Sequence, residues 1–412
     1  MFMNVLVVTD EHPWPARTGY RQRLDRTLHA LAAEHEVDLL TVLAEERPVE
    51  PPPGDLRLRR HGTVVAGPRA RTRRRRQARW LVGGIPRTLG WRDWTAARSV
   101  LESMRETAYD VVWFSHANTW LALAGSVPGP HVIDLDNLDS QLLRHRRRMH
   151  WRTRSADWRG HARSLAQVVA DTLDIRRWRR IEQRIAKHAA SVIVCSPLDR
   201  DRLGVANVRV IPNAYERATG GDPPRVRSGT PPRGAPVLLM VGLLTYEANR
   251  DAAGFFATEV LPLIRRSRPG AVFRVVGRYD VETNVAAFRD LPGVSVAGEI
   301  PDITTELESA DVVVVPIRFG GGTRIKILEA FAHGIPVAST TVGAEGLEVE
   351  DGRHLLLADG PEDLARACLR LLDDNALRSA LVAEGEALWE ARYRSSAVRR
   401  AIAAALDDVV EA

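Results

Sequence analysis

Arg318-Phe319-Gly320-Gly321-Gly322-Thr323-Arg324-Ile325-Lys326-Ile327-Leu328-Glu329-Ala330 lies between two apolar, β-branched runs, residues 311–316 and 336–339. An apolar run, a glycine loop, a helical stretch and a second run follow one another in the order of a βαβ unit. Runs this apolar belong to strands buried on both faces of a parallel sheet. The helix is expected to start at about Thr323 and to reach Ala332. Three glycines let backbone N–H groups approach an anion without Cβ interference, and the helix start adds free amides and a favourable dipole. Arg324 and Lys326 bring full positive charge to the same place. Glu329 shares a face with Lys326 at i, i+3, where a carboxylate can accept hydrogen bonds from a diol. The plainer reading is a tight turn with solvated cations and a simple Lys326–Glu329 pair; for the three glycines alone the two readings are evenly matched.

The same rhythm extends in both directions. In the C-terminal half, strands are expected at 236–242, 271–277 and 294–297, with helices at 251–264 and 361–372 and a helical tail over 380–410. In the N-terminal half the run 4–9 leads through a loop with Pro13, Pro15 and Gly19 into a helix over 21–34. Leu24, Leu28 and Leu31 recur there at helical spacing, and the strand 37–43 follows. Further strands are expected at 110–115, 131–135, 191–195 and 208–211. Between 218 and 235 stand four glycines and four prolines with almost nothing apolar between them, which marks a linker. The organisation is therefore α/β: a Rossmann-like doubly wound domain over 1–215, a linker over 216–235, a second such domain over 236–380, and C-terminal helices over 381–412 packing back across the seam. Two such domains place a cleft between the carboxyl ends of their sheets, where nucleotide-sized ligands of these folds bind.

Composition sets outer limits. The chain has 412 residues, 45% hydrophobic and 27% charged, which is globular rather than disordered or fibrous. Lys and Arg total 58 against 52 acidic residues, a net charge of +6 carried almost wholly by arginine. This permits anionic partners without choosing one. Cys195 and Cys368 are far apart, so neither a disulfide framework nor a thiolate zinc site is expected. The run 4–9 is too short for a signal-peptide core and no 18 apolar residues run together, so the expected compartment is the cytoplasm, with peripheral contact at the inner face of the membrane left open.

The glycine string, continued by Ser339-Thr340-Thr341-Val342-Gly343-Ala344-Glu345-Gly346-Leu347, resembles the nucleotide-binding signature of family 4 glycosyltransferases of the GT-B fold. Met240-Val241-Gly242-Leu243-Leu244-Thr245-Tyr246-Glu247-Ala248-Asn249, Val275-Val276-Gly277-Arg278, Val296-Ala297-Gly298-Glu299-Ile300-Pro301-Asp302-Ile303 and Val210-Ile211-Pro212-Asn213-Ala214 are similar to that branch as well. The resemblance is dense from 237 to 347 and thinner in the N-terminal half. It implies a nucleoside-diphosphate-sugar donor, transfer with retention, and neither cofactor nor metal. It further implies that Glu329 holds the ribose, and that Gly320, Gly321, Gly322, Thr323 and Arg324 cradle the diphosphate with Lys326 and Gly242 beside it. The turn from Gly298 to Ile303 would sandwich the base. Two positions depart from the pattern. Gly321 stands where many relatives place a sugar-contacting glutamate, and Leu243 and Asn249 stand where relatives offer an Arg and a Lys. Arg324, Lys326 and Arg278 are the expected substitutes for that charge. Loss of the glutamate keeps open a catalytically silent GT-B protein, or one that couples a non-sugar cyclitol.

In the N-terminal half, Thr18-Gly19-Tyr20-Arg21 stands where relatives have a glycine loop near donor phosphate and acceptor, so Gly19 and, on the acceptor side, Tyr20 become candidates; a simple turn is the plainer reading. His116, after the strand 110–115, matches the histidine beneath the transferred sugar, with Asn118 beside it. Asp134-Leu135-Asp136 forms a D-x-D pair whose carboxylates share a face, so chelation is sterically open. The nucleotide signature, however, lies in the other half, which favours an acceptor-side role for Asp136 and helix capping by Asp139 and Ser140. Two arginine-rich stretches, 69–79 and 144–184, can be solvated surface, a membrane or lipid-linked-acceptor contact, or, least in keeping with the rest, a nucleic-acid face. The acceptor is a glycan, lipid-linked or small-molecule partner.

Overall fold

The computed structural model describes residues 2–67, 78, 80–89, 92–104, 107–152, 158–217, 235–280, 283, 285–300, 302–321 and 324–410. They form two compact units, 1–213 with 396–412, and 214–395. Residues 381–395 thus belong with the second unit, whereas the sequence suggests one separate C-terminal piece from 381 onward. The expected linker over 216–235 lies, apart from 216, 217 and 235, outside the described residues. So does the arginine stretch 69–79, apart from residue 78.

The N-terminal unit is built on a seven-stranded sheet in the order β3-β2-β1-β4-β5-β6-β7. Its strands are β1 (Asn4–Thr9), β2 (Glu36–Leu43), β3 (Arg60–Val65), β4 (Val111–Ser115), β5 (His131–Leu135), β6 (Ser191–Val194) and β7 (Val208–Val210). Every pairing is parallel. The central strand shows why such runs read as continuous: Val5, Leu6, Val7 and Val8 are all 0% exposed, because helices cover both faces. Those helices are α1 (Gly19–Ala32), α2 (Thr95–Ser103), α3 (Ala117–Leu123), α4 (Asp139–Arg152), α5 (Trp158–His188) and α6 (Pro197–Leu203). Strand β3 carries no apolar run and lies exposed at the edge of the sheet, which is why periodicity misses it.

The C-terminal unit has a six-stranded parallel sheet in the order β10-β9-β8-β11-β12-β13. The strands are β8 (Val237–Val241), β9 (Val272–Val276), β10 (Val294–Ala297), β11 (Val312–Val315), β12 (Val337–Ser339) and β13 (Leu356–Leu357). The expected helix over 251–264 is replaced by α7 (Glu247–Phe255), a π turn at Phe256–Val260 and α8 (Leu261–Ser267). After α9 (Ala286–Arg289) and α10 (Thr304–Ser309), the glycine string leads into α11 (Ile325–Ala332), two residues later than expected. The helix expected over 361–372 is α12 (Pro361–Asp373), and the tail over 380–410 is two helices, α13 (Asn375–Arg392) and α14 (Ser395–Val410), not one. The break at Tyr393 carries contacts a continuous helix could not offer: the Tyr393 carbonyl accepts the Tyr215 N–H at 3.0 Å, and Trp389 Nε1 donates to the Tyr215 carbonyl at 3.0 Å.

Both sheets reverse their winding between two central strands, β1 and β4 in one and β8 and β11 in the other. The loops leaving such strands diverge, and the crevice between them is where ligands of these sheets bind. In the C-terminal unit that crevice is walled by backbone. A Cβ on Gly277, after β9, would lie 1.9 Å from the Gly242 carbonyl oxygen, after β8. Gly277→Ala must push the two loops apart and should lower urea-unfolding stability by about 3 kcal/mol. A midpoint unchanged from the parent would show that the loops separate at no cost.

Candidate functional site

Asp10 follows β1 directly, with 6% of its side chain exposed. His116 Nδ1 lies 2.8 Å from Asp10 Oδ1, Asn118 Nδ2 donates to Oδ2 at 3.3 Å, and Arg92 Nη1 stands 3.5 Å from Oδ2. The Tyr20 ring stacks on His116 at 3.9 Å, and its hydroxyl bonds Ser115 Oγ at 3.0 Å and Thr9 Oγ1 at 2.9 Å. Burial pushes the His116 imidazole pKa down, but the charge and hydrogen bond of Asp10, with Asp136 and Asp139 behind, raise it to about 9. Burial likewise works to raise Asp10, and His116, Arg92 and Asn118 hold it below the usual carboxylate range. The pair is therefore ionised at neutral pH. His116 also has φ 74° and ψ 149°, a conformation rarely taken by any residue other than glycine, and it leads into α3.

Three sequence candidates, Tyr20, His116 and Asn118, thus converge at the β1–β4 switch point. Gly19 does not form the expected loop. Thr18–Arg21 is the capped first turn of α1, with Thr18 Oγ1 accepting the Arg21 N–H at 3.3 Å. The D-x-D pair is divided by its partners. Asp134 is buried and takes Arg23, whose Nη2 donates at 2.7 Å and Nε at 3.0 and 3.1 Å. Arg23 Nη1 reaches the Ile211 carbonyl at 2.8 Å and Asn213 Oδ1 at 3.1 Å. Asp136 is half-buried and accepts from Asn137 at 3.1 Å and from the Cys195 thiol at 3.4 Å. Among the described residues no group of three His, Cys, Asp or Glu side chains is placed to hold a metal ion. Asp139, expected only to cap a helix, is pushed up to about 7 by burial and by Glu182, against the opposing charge of His116. Sequence reasoning missed Asp10 and Arg92; the one available signal for Asp10 was a carboxylate immediately after the first buried strand.

In the C-terminal unit the second departure from the family pattern resolves. Asn249, which stands where relatives place a lysine, accepts a 2.9 Å hydrogen bond from Lys326 Nζ and donates to the Leu243 carbonyl at 2.9 Å. The Lys326 ammonium therefore sits against Gly242: a Cβ there would lie 2.8 Å from both Lys326 Nζ and Asn249 Nδ2. The charge is supplied from α11 instead of α7. Burial, and then the like charge of Arg324, push the Lys326 pKa down to about 7, while Glu329 opposes them. Glu329 is 8% exposed and Arg324 9%. Arg324 folds back to donate to the Gly321 carbonyl, beneath Gly320 at φ 139°. Gly322 and Thr323 lie outside the described residues. Arg278 is exposed and takes part through its carbonyl, which accepts the Leu244 N–H at 2.9 Å. Gly298 has open space around its Cα, so close packing does not require glycine there; Ile303 is half-buried against the core before α10. A residue not singled out, His333 at the end of α11, bonds the Tyr215 hydroxyl at 2.9 Å.

Two doubly wound parallel-sheet units, one with the Asp10–His116 ion pair at its switch point and the other with a backbone-walled, cation-lined cradle, have the fold pattern of the GT-B class. Over residues 235–374 the sequence matches the family described as Glycosyl transferases group 1. The chain is 29% identical over 178 residues to the phosphatidyl-myo-inositol mannosyltransferase of Mycolicibacterium smegmatis, a match covering 42% of this chain and 45% of that protein. It thus spans less than half the length of that relative. The fold is similar to sucrose-phosphate synthase from Thermosynechococcus elongatus, with TM-score 0.67, 19% identity and coverage of 97% of this chain and 96% of the other. It is also similar to Anabaena HepE in complex with UDP-glucose, with TM-score 0.62, 15% identity and coverage of 98% and 99%. The fold is thus similar to that of GT-B glycosyltransferases, and the family match is confined to residues 235–374.

Two titrations follow. Asp10→Asn should lower the His116 pKa from about 9, because burial then loses its main counter-charge and only Asp136 and Asp139 still oppose it; imidazole NMR signals followed against pH check this. The stability gained from a raised histidine is full below 6.5 and lost as pH rises through about 9. For Lys326, an incoming diphosphate restores the proton that burial removes. Affinity for a nucleoside diphosphate should therefore fall above pH 7 by up to about tenfold per pH unit. Proton uptake should appear in calorimetry as a dependence on buffer ionisation enthalpy, and Lys326→Met should abolish both effects.

Proposed function

We propose that the protein transfers a sugar from a nucleoside-diphosphate sugar to an acceptor, with retention of anomeric configuration and without a metal ion. The observation that carries this reading is the cradle at the β8–β11 switch point, where glycine backbone, Lys326, Arg324 and buried Glu329 stand together. Glu329 has the chemistry to accept hydrogen bonds from a ribose diol. Lys326 and Arg324, with the start of α11, lie where negative charge develops on a departing diphosphate. In the retaining front-face route that phosphate takes the acceptor proton, so no dedicated base is required. The His116–Asp10 pair and Asn118 suit the transferred sugar, and Asp136 the acceptor side.

Similar proteins support the same donor chemistry: one is a mannosyltransferase and one was solved with UDP-glucose. The engagement of Asp134 by Arg23 supports a metal-independent route, because that carboxylate already has its cation. Glycans, lipid-linked acceptors and small natural products all remain acceptor classes for this chemistry. Among the described residues no helix is long and apolar enough to cross a membrane.

Incubation with a panel of uridine, guanosine and other nucleoside-diphosphate sugars should consume at least one donor, and the anomeric configuration of the product, read by NMR, should match that donor. Glu329→Ala should weaken nucleotide binding at least about tenfold, as expected for loss of hydrogen bonds to a charged group. Tight nucleotide binding without turnover of any donor would instead identify a silent member of the fold, consistent with Gly321 at the position of the missing glutamate.

A further inference from the structure

Consecutive glycines at 320–322 give a loop no side chains with which to fix itself, so the freedom that lets its amides approach an anion must be removed by its flanks. On the far side, Arg324 folds back onto the Gly321 carbonyl. On the near side stands Arg318, which follows β11. It holds the Asp251 carboxylate with two parallel bonds, Nε donating to Oδ2 at 2.9 Å and Nη2 to Oδ1 at 2.6 Å. Its Cζ also lies 4.6 Å from the centre of the Phe255 ring. A planar fork set between a carboxylate and an aromatic face has one defined orientation, which a lysine could not reproduce.

Asp251 and Phe255 belong to α7, and the same helix touches the glycine string twice more. A Cβ on Gly320 would lie 3.5 Å from the Cβ of Ala248, itself 0% exposed. Asn249 Oδ1 accepts from Lys326 Nζ at 2.9 Å. Ala248, Asp251 and Phe255 are spaced i, i+3 and i+7, which is one stripe of a helix, and Asn249 lies beside it. Lys326 is thus held on α7 through Asn249, while the glycine loop ahead of it is held on α7 through Arg318. Where relatives place a lysine on this helix, the present chain brings one from α11, so the register of loop and α11 against α7 becomes a requirement of the cradle. Arg318 has its Nε–Nη2 edge on Asp251, and its part is therefore to act through the loop.

We infer that Asp251 and Arg318 are positioning residues: the pair registers the glycine loop on α7 so that the loop amides and the Lys326 ammonium converge on one anion. This deepens the diphosphate-binding reading and rests on it, but its first test needs no ligand. Burial, Arg324 and Glu329 set the titration of Lys326, and residues 251 and 318 reach it by altering the placement of those groups.

The only lysines in the chain are Lys187 and Lys326, so protein grown on lysine enriched in carbon-13 at Cε shows both titrations by NMR, and Lys187→Arg assigns them. In the ligand-free parent Lys326 should titrate at about 7. In Arg318→Met and Asp251→Asn it should titrate higher, toward the ordinary lysine value, because a loosened loop admits water and lets Arg324 move away. Arg318→Lys, which keeps the charge without the fork, should fall between. UDP affinity, read by calorimetry, should drop about tenfold in Arg318→Met, as for one weakened charge-assisted bond, and its decline with pH should begin at a higher pH than in the parent. The two side chains are 28% and 22% exposed, so folded variants are expected, with circular dichroism and melting as the control; Asp251→Asn carries the test if Arg318→Met does not fold. Folded variants that melt lower yet leave Lys326 titrating as in the parent would reduce the pair to a structural bridge and overturn the inference. So would a parent in which Lys326 titrates like the exposed Lys187. A moved Lys326 titration in a protein that binds neither UDP nor GDP would sink the diphosphate reading and leave the positioning role standing.

Discussion

A carboxylate with 6% of its side chain exposed cannot stay ionised without donors around it, and Asp10 draws its own from several segments. His116 and Asn118 come from the end of β4 and the start of α3, and Arg92 from the segment before α2. The imidazole that answers Asp10 is in turn the surface on which Tyr20 of α1 stacks, and the Tyr20 hydroxyl closes the circle on Thr9 and Ser115. One buried negative charge thereby fixes the relative placement of two strand ends and two helix starts. Without it, a histidine in such a pocket would be neutral and its ring would have no defined orientation.

The C-terminal unit meets an electrostatic requirement of the opposite kind. The ligand proposed for it would bring negative charge, and the cradle holds cations that repel one another. Arg324 sets its guanidinium against a carbonyl, and Lys326 lowers its proton affinity while Asn249 keeps its position. Arginine could not respond in this way, since its proton is never released under ordinary conditions. Of the two lysines in the chain, Lys187 and Lys326, one occupies this place.

Buried parallel strands were the most legible part of the sequence, because runs such as Val312–Val315 satisfy both faces of a sheet at once and have no competing reading. Edge strand β3 was invisible for the converse reason. The π turn within 256–260 and the break at Tyr393 were missed because neither carries a proline or glycine; each is set by packing, as with the Trp389 and Tyr393 contacts to Tyr215. At the sites, Lys326 and Glu329 stood out by their place after the glycines, and His116 through the family resemblance. Asp10 and Arg92 gave no periodic signal and became visible only through their partner. Asn249 read as a lost charge because a sequence shows which residue has changed and not which neighbour has moved in.

The backbone of His116 carries a further consequence. At φ 74° and ψ 149° a side chain is a liability, and glycine would relieve the strain without disturbing the strand before it or the helix after it. The same substitution would remove the counter-ion of Asp10 and the platform under Tyr20, leaving a buried carboxylate without its charge partner. A variant chosen by melting temperature gains at this position only where the relief of backbone strain exceeds the cost of that unpaired charge. Backbone and side chain therefore pull in opposite directions at one residue.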